Sequence, residues 1–351
     1  MAAKGRFTID SLELTDIVGR LLLVGFEGHD FAEVEKLLVE VRPAGLIFFR
    51  RNYPETGGVT ELSAFIGRAR ALTLEITGRR LLVAIDHEGG AIQRLPAPFT
   101  RLPAARETAL NGGVLAAVEW AAIGARELVA VGFNFNLAPV VDVANVAGGF
   151  IGDRAFSSEP EMVATWAAAV LATFRQFGIL GAAKHFPGLG AAQLDPHHEM
   201  PVILVDSERL TAVDLLPYRT LAANPDLMAV MTAHAFYPAL DAHNPATFSR
   251  EIVGLLKNEM NFAGAVLTDD LEMGAVVKNY LPGEAAVAAV VAGHDLALIC
   301  RGRDYLDECR LALAEALRSG ILPPGRLADA LARTETLTRH LARYENFLES
   351  E

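Results

Sequence analysis

Cysteine is almost absent from this chain of 351 residues: only Cys300 and Cys309 occur. Two thiols make neither a disulfide framework nor a ligand set with metal spacing, so both read as small apolar core residues. Long apolar runs are missing too. The longest, Ala285 to Ala292, is stopped by Gly293-His294-Asp295, far short of the roughly 20 residues that cross a bilayer. An excess of basic charge is also lacking. Lys and Arg number 31 against 43 Asp and Glu, a formal net charge of −12 spread along the chain, which argues against nucleic acid or an anionic membrane as partner. The amino terminus meets Asp10 and Glu13 before any long apolar block, without the order of regions a secretory signal needs, so a cytoplasmic address is expected. No repeat, low-complexity stretch or Pro/Gly-rich linker interrupts the chain, and a single domain over residues 1–351 is expected.

What is present is apolar and periodic. Hydrophobic residues make up 52% and charged ones 21%, enough to build a large core. Short β-rich runs recur at Leu21 to Val24, Gly45 to Phe49, Leu81 to Ile85, Phe135 to Pro139, Ile179 to Phe186, Leu227 to Met231, Ala263 to Thr268 and Asp295 to Cys300. Between them lie stretches of helical period, such as Ser207 to Leu221 and Ser249 to Met260, each opened by a serine able to cap the first turn. Runs without strict polar alternation suit parallel strands covered by helices. Eight β/α units in a chain somewhat above ~250 residues predict a closed TIM-type (β/α)8 barrel in the α/β class, with an open doubly wound sheet as the alternative. The longer connections, Arg50 to Thr60 and Val143 to Pro160, read as loops over a site.

In a barrel of this kind chemistry sits beyond the carboxyl ends of the strands. That rule selects Asp86-His87-Glu88, Lys184-His185, Thr232-Ala-His234 and Thr268-Asp269-Asp270. Neighbouring side chains in extended backbone point to opposite faces, so only one of Asp269 and Asp270 aims into the mouth while the other caps the following helix. The one facing the mouth is a nucleophile, a base or a metal ligand. Asp195 and His197, two residues apart in an extended loop, share a face; the carboxylate then orients the imidazole as a general acid/base. The rival reading is a metal site built on Asp195 and His197, with or without His198. Lys184 and His185 suit anion or sugar-hydroxyl binding, and Arg94 and Arg154 add donors. Gly188-Leu-Gly190 lacks the third glycine of a dinucleotide fingerprint.

Six segments occur in one order: Ala84-Ile-Asp-His-Glu-Gly-Gly-Ala-Ile-Gln-Arg-Leu95, Asn136-Leu-Ala-Pro-Val-Val-Asp-Val143, Gly152-Asp-Arg-Ala-Phe156, Lys184-His-Phe-Pro-Gly188, Asp195-Pro-His197 and Leu267-Thr-Asp-Asp-Leu-Glu-Met273. Together they resemble the β-N-acetylglucosaminidase branch of glycoside hydrolase family 3, in its short, single-barrel form. The resemblance implies that Asp269 is the nucleophile, that Asp195 and His197 form the acid/base dyad, and that Asp86, Arg94, Arg154, Lys184 and His185 bind the sugar. It further implies a small-molecule GlcNAc-containing glycoside as partner, neither metal nor organic cofactor, retention of configuration, and a setting in recycling of cell-wall muropeptides. The chain departs from the family pattern near the mouth. Leu189 stands where His is common, His87 where Gln is usual, Ala91 where Arg is usual and His198 where Lys often follows. Two other readings stay open, a β-N-acetylglucosaminide phosphorylase and a sugar-binding barrel that has lost catalysis.

Overall fold

In the computed structural model, which describes residues 11–144, 149–196 and 198–348, eight parallel strands close into a barrel. They are β1 (Leu22–Val24), β2 (Gly45–Phe48), β3 (Leu82–Ile85), β4 (Phe135–Asn136), β5 (Leu180–Phe186), β6 (Leu227–Thr232), β7 (Ala265–Asp270) and β8 (Leu296–Ile299). Each strand pairs with its neighbours in the sequence, and β8 returns to β1 with Leu22 opposite Ala297 and Val24 opposite Ile299. The expectation of a TIM-type barrel holds, and the open sheet is excluded.

Alternation along the strands divides the core in two. Leu23, Ile47, Leu82, Ala84, Phe135, Leu180, Leu267 and Leu298 fill the lumen. Leu22, Val24, Leu46, Val83 and Ile85 point outward into a larger layer shared with the helices. Both sides are therefore dry, which explains why these runs are apolar throughout. Helix Pro324–Leu348 adds Leu337 and Leu341 to the lumen cluster and so plugs the end of the barrel from which the strands start.

Several expected elements differ in detail. β4 is only two residues long and then continues as an isolated bridge from Val140 to Lys184, because Pro139 has no N–H for a ladder. The helical stretch after β5 is broken into Ser207–Arg209, a π-turn Leu210–Asp214, and Leu216–Leu221. Pro217 cannot donate back along the helix, so the hydrogen bonding is reset at that point. Its cap is Asp206, whose side chain accepts from the Arg209 N–H at 2.7 Å, and not Ser207. Ser249 does cap its helix, accepting from Ile252 N–H at 3.0 Å. Between β3 and the long helix Ala105–Val131 lies an unexpected hairpin, His87–Gly89 against Ile92–Gln93. Gly89, at φ +96°, permits its tight packing: a Cβ there would lie 2.3 Å from the Pro103 carbonyl oxygen.

Candidate active site

Charged side chains converge beyond the carboxyl ends of β3 and β5. Lys184, only 3% exposed, places Nζ 2.8 Å from Asp86 and 2.6 Å from Glu88. Arg154 forms a two-pronged pair with Glu88, both contacts 2.9 Å, and Arg94 reaches Asp86 at 3.4 Å. Burial opposes ionisation of the two carboxylates, yet Lys184 with Arg94, and Arg154 with Lys184, outweigh it and hold Asp86 and Glu88 below the usual carboxylate range. Lys184 and Arg154 are correspondingly held protonated, against the pull of burial, by the same carboxylates. Such a set offers fixed donors and acceptors for hydroxyl groups, with little reorganisation on binding.

Behind it stands Asp142, fully buried. Its carboxylate lies 2.7 Å from Nδ1 of His185 and accepts backbone N–H groups from His185 at 3.3 Å and from Leu189 at 2.6 Å. That contact fixes the imidazole, leaving Nε2 toward Arg154 at 3.4 Å. Asp142 thus connects a sugar-binding candidate to the start of the loop that carries Asp195.

The opposite side of the mouth is made by β7 and β8. Asp270 is the committed member of the carboxylate pair: its Oδ1 accepts from Glu272 N–H at 3.0 Å and Cys300 N–H at 3.2 Å. Burial raises it to about 7. It latches the turn and strand β8 and does not cap a helix, since Met273 holds the N-cap position of Gly274–Val277. Asp269, half-buried, remains the available carboxylate, its Oδ1 accepting the neighbouring Asp270 N–H at 2.8 Å. Burial pushes the Cys300 thiol up, and the charges of Asp270, Asp86 and Asp269 add to that. Arg51 and Arg94 flank the Phe49 ring, with guanidinium carbons 4.4 and 5.4 Å from its centroid, closing the arc between β8 and the hairpin.

Asp195 arrives on a loop docked against β7's helix: the Ala275 N–H donates to the Pro196 carbonyl at 3.2 Å, and the Asp195 carbonyl accepts from His198 and Glu199 at 3.0 and 3.2 Å. His197 lies outside the described residues. Asp86, Arg94, Arg154, Lys184 and His185 are brought into one connected network. Glu88, which the strand-end rule selects without giving it a role, and Asp142, which it does not select, belong to it as well. Glu88 carries a usable signal, because it stands two residues from Asp86 and shares its face in extended backbone. Asp142 has no local signal; its partner is 43 residues away. Among the described residues no group of three or more His, Cys, Asp and Glu is arranged to hold a metal ion.

The departures from the family pattern fall beside the charged network. Leu189 is buried at 1% exposure and Ala91 is exposed at the hairpin turn. His234 is wholly buried and supports the Asp270 carbonyl, with Nε2 2.9 Å from that oxygen and Nδ1 2.6 Å from the Thr247 hydroxyl. His87 points away from the mouth into an apolar cavity of about 60 Å3 lined by Trp120, Phe156 and Phe174. Neither ring nitrogen has a partner among the described residues, and burial lowers His87 to about 4. The native state therefore refuses a proton that the unfolded chain accepts below about 6.5. Stability from this group is whole above that pH and is lost as pH falls toward 4, on the order of 3 kcal/mol at full shift. The unfolding free energy of His87→Gln is expected to decline less between pH 6.5 and 4 than that of the parent; parallel curves from urea titrations would refute it.

Comparison with known proteins agrees with this geometry. The family model described as glycosyl hydrolase family 3 N terminal domain matches residues 13–337. A β-hexosaminidase of Methylococcus capsulatus is 36% identical over 311 residues, covering 86% of this chain and 89% of that protein. One from Pseudomonas aeruginosa is 37% identical over 303 residues, covering 84% and 86%. A solved family 3 β-N-acetylglucosaminidase from Paenibacillus sp. superposes with a TM-score of 0.90 at 35% identity, over 95% of this chain; the chain spans 63% of that longer protein. A β-N-acetylhexosaminidase from Beutenbergia cavernae gives 0.82 at 28% identity, covering 94% and 99%. A closed parallel barrel with a carboxylate-rich mouth of this kind is that of a carbohydrate-cleaving enzyme. The chain belongs to glycosyl hydrolase family 3 and is a glycosidase with a carbohydrate substrate.

Proposed function

We propose that this glycosidase is a retaining exo-β-N-acetylglucosaminidase, one barrel domain over residues 1–351, that releases terminal β-linked GlcNAc. Asp269 attacks the anomeric carbon while His197, oriented by Asp195, gives its proton to the leaving oxygen. A water deprotonated by the same His197 then attacks the anomeric carbon of the glycosyl-aspartate, returning the Asp269 carboxylate and the sugar with its original configuration. Asp86, kept ionised, accepts from sugar hydroxyls; Lys184, Arg154, Arg94 and His185 donate. No cofactor enters these steps.

The observation that carries the reading is the convergence of that polar network at the carboxyl ends of β3 and β5, the end of the parallel barrel at which Asp269 also lies on β7. The N-acetyl group rests on the relatives named β-hexosaminidase and β-N-acetylglucosaminidase. Resemblance supports a cytoplasmic setting in recycling of cell-wall fragments; among the described residues no helix is long and apolar enough to cross a membrane. The test is release of nitrophenol from its β-GlcNAc glycoside, with the β-glucoside as control, with and without inorganic phosphate. Selective, phosphate-independent release with free GlcNAc as product is expected. A sugar 1-phosphate formed only with phosphate would replace hydrolysis by phosphorolysis, and no release at all would leave a sugar-binding barrel.

A further inference from the structure

At the end of the barrel opposite the mouth, a cavity of about 510 Å3 opens between the starts of β1 to β3 and helix Pro324–Leu348. Four arginines line it, Arg20, Arg79, Arg80 and Arg339, against two carboxylates, Asp16 and Glu335. Arg80 apart, three of these arginines face the two carboxylates among the described lining residues, in a chain whose net charge is −12. Each carboxylate is shared. Asp16 Oδ1 serves Arg79 at 2.7 Å and Arg42 at 3.1 Å, and Glu335 serves Arg339 at 3.2 Å and Arg20 at 4.0 Å. The Arg79 Nε is buried without a partner among the described residues. Burial lowers Arg79, and repulsion from Arg20 and Arg42 adds to that.

A second cluster on this face takes the other course. Lys257, Arg326 and Arg333 meet Asp295 and Asp329 and are completed by the carbonyls of Phe262, Gly264, Val290 and His294. None of its side-chain nitrogens is buried without a partner among the described residues. Around Arg79 the carbonyls of Arg42 and Ile76 also accept, yet the Arg79 Nε keeps no partner among the described residues. The chain even accepts a left-handed backbone at Arg42, φ 55°, a helix-ending position that glycine usually takes, and this residue joins the group.

We propose that this cavity is a binding site for a small molecule bearing a diphosphate or phosphate monoester, its oxygens taken by Arg20, Arg79 and Arg339. Guanidinium forks match phosphate oxygens in pairs, a phosphate group carries close to two negative charges at neutral pH, and the volume is that of a small-molecule pocket and far exceeds a lone oxyanion. The site lies on the face remote from catalysis and is independent of the proposed activity.

The experiment is calorimetric titration of the full chain with inorganic pyrophosphate, alone and with GlcNAc saturating the mouth. Saturable one-to-one binding that persists with GlcNAc is expected, weakened at least ten-fold in Arg20→Gln/Arg339→Gln, whose glycosidase activity without phosphate stays that of the parent. Arg339→Gln alone changes an exposed residue and should show part of the loss if the double variant folds poorly. Absence of saturable binding, displacement by GlcNAc, or unchanged affinity in both variants would overturn the proposal. Inorganic phosphate run in parallel separates the sources: comparable binding of phosphate points to the free ion, and preference for pyrophosphate to a diphosphate group.

Discussion

Asp269→Asn should fold like the parent and lose turnover of an aryl β-GlcNAc glycoside by about 10^4-fold or more, the scale on which removal of a covalent nucleophile acts. The expectation follows from the division of labour at the end of β7. Both are half-buried, but Asp270 Oδ1 is occupied by two backbone donors, whereas Asp269 accepts from the neighbouring Asp270 N–H at the end of the strand. The amide keeps the shape and the hydrogen bond from Asp270 N–H but cannot attack. Intact-mass analysis during turnover of a slow substrate gives an independent readout: a glycosyl adduct on the peptide containing Asp269 in the parent, and none in the variant. Activity within ten-fold of the parent, or an adduct on another residue, would remove Asp269 from the role. Asp270→Asn serves as the contrast, since it disturbs a latch between β7 and β8 and should act mainly on stability.

How far the sequence reaches is visible at Asp86, His87 and Glu88. Apolar runs without alternation already indicate strands dry on both sides, and the barrel follows from their number. The position of the site follows from where those runs turn polar, so Asp86, Lys184, His185 and Asp269 are all legible. Sequence spacing does not reveal the hairpin after β3, because its two short strands have no apolar period of their own; they are pinned by Gln93, which donates to the Thr100 carbonyl at 2.8 Å and accepts from Leu102 N–H at 2.9 Å. That hairpin sends Asp86 and Glu88 to the mouth and His87 to the cavity behind. A histidine near a strand end is therefore no guide to function without the local register, as His234, buried against the Asp270 carbonyl and the Thr247 hydroxyl, also illustrates. Asp142 is harder still, since its meaning depends on a partner on another strand.

Glu88→Ala should cost about 3–5 kcal/mol of stability, the range found when one partner of a buried ion pair is removed. Glu88 is 7% exposed and faces two cations at once, Arg154 through both oxygens and Lys184 at 2.6 Å. Asp86 remains for Lys184, but among the described residues Arg154 has no second carboxylate in ion-pair contact and would keep its charge in a largely buried site. The sign of the pH effect is fixed by the same contacts. Glu88 is held below the usual carboxylate range, so its contribution is present at neutral pH and fades as acid protonates it. The loss caused by Glu88→Ala should accordingly shrink as pH falls below about 4. A double-mutant cycle with Arg154→Ala makes the cause testable by urea unfolding: removing the stranded cation as well should recover part of the loss, so the double variant is more stable than the sum of the singles implies. Additive losses, or a single-variant loss under about 1 kcal/mol, would mean that the pair is solvated and that Arg154 is positioned by something other than Glu88. Since Arg154 is also a proposed sugar donor, the same variant should raise KM more than it lowers kcat, separating a misplaced binding group from damage to the nucleophile.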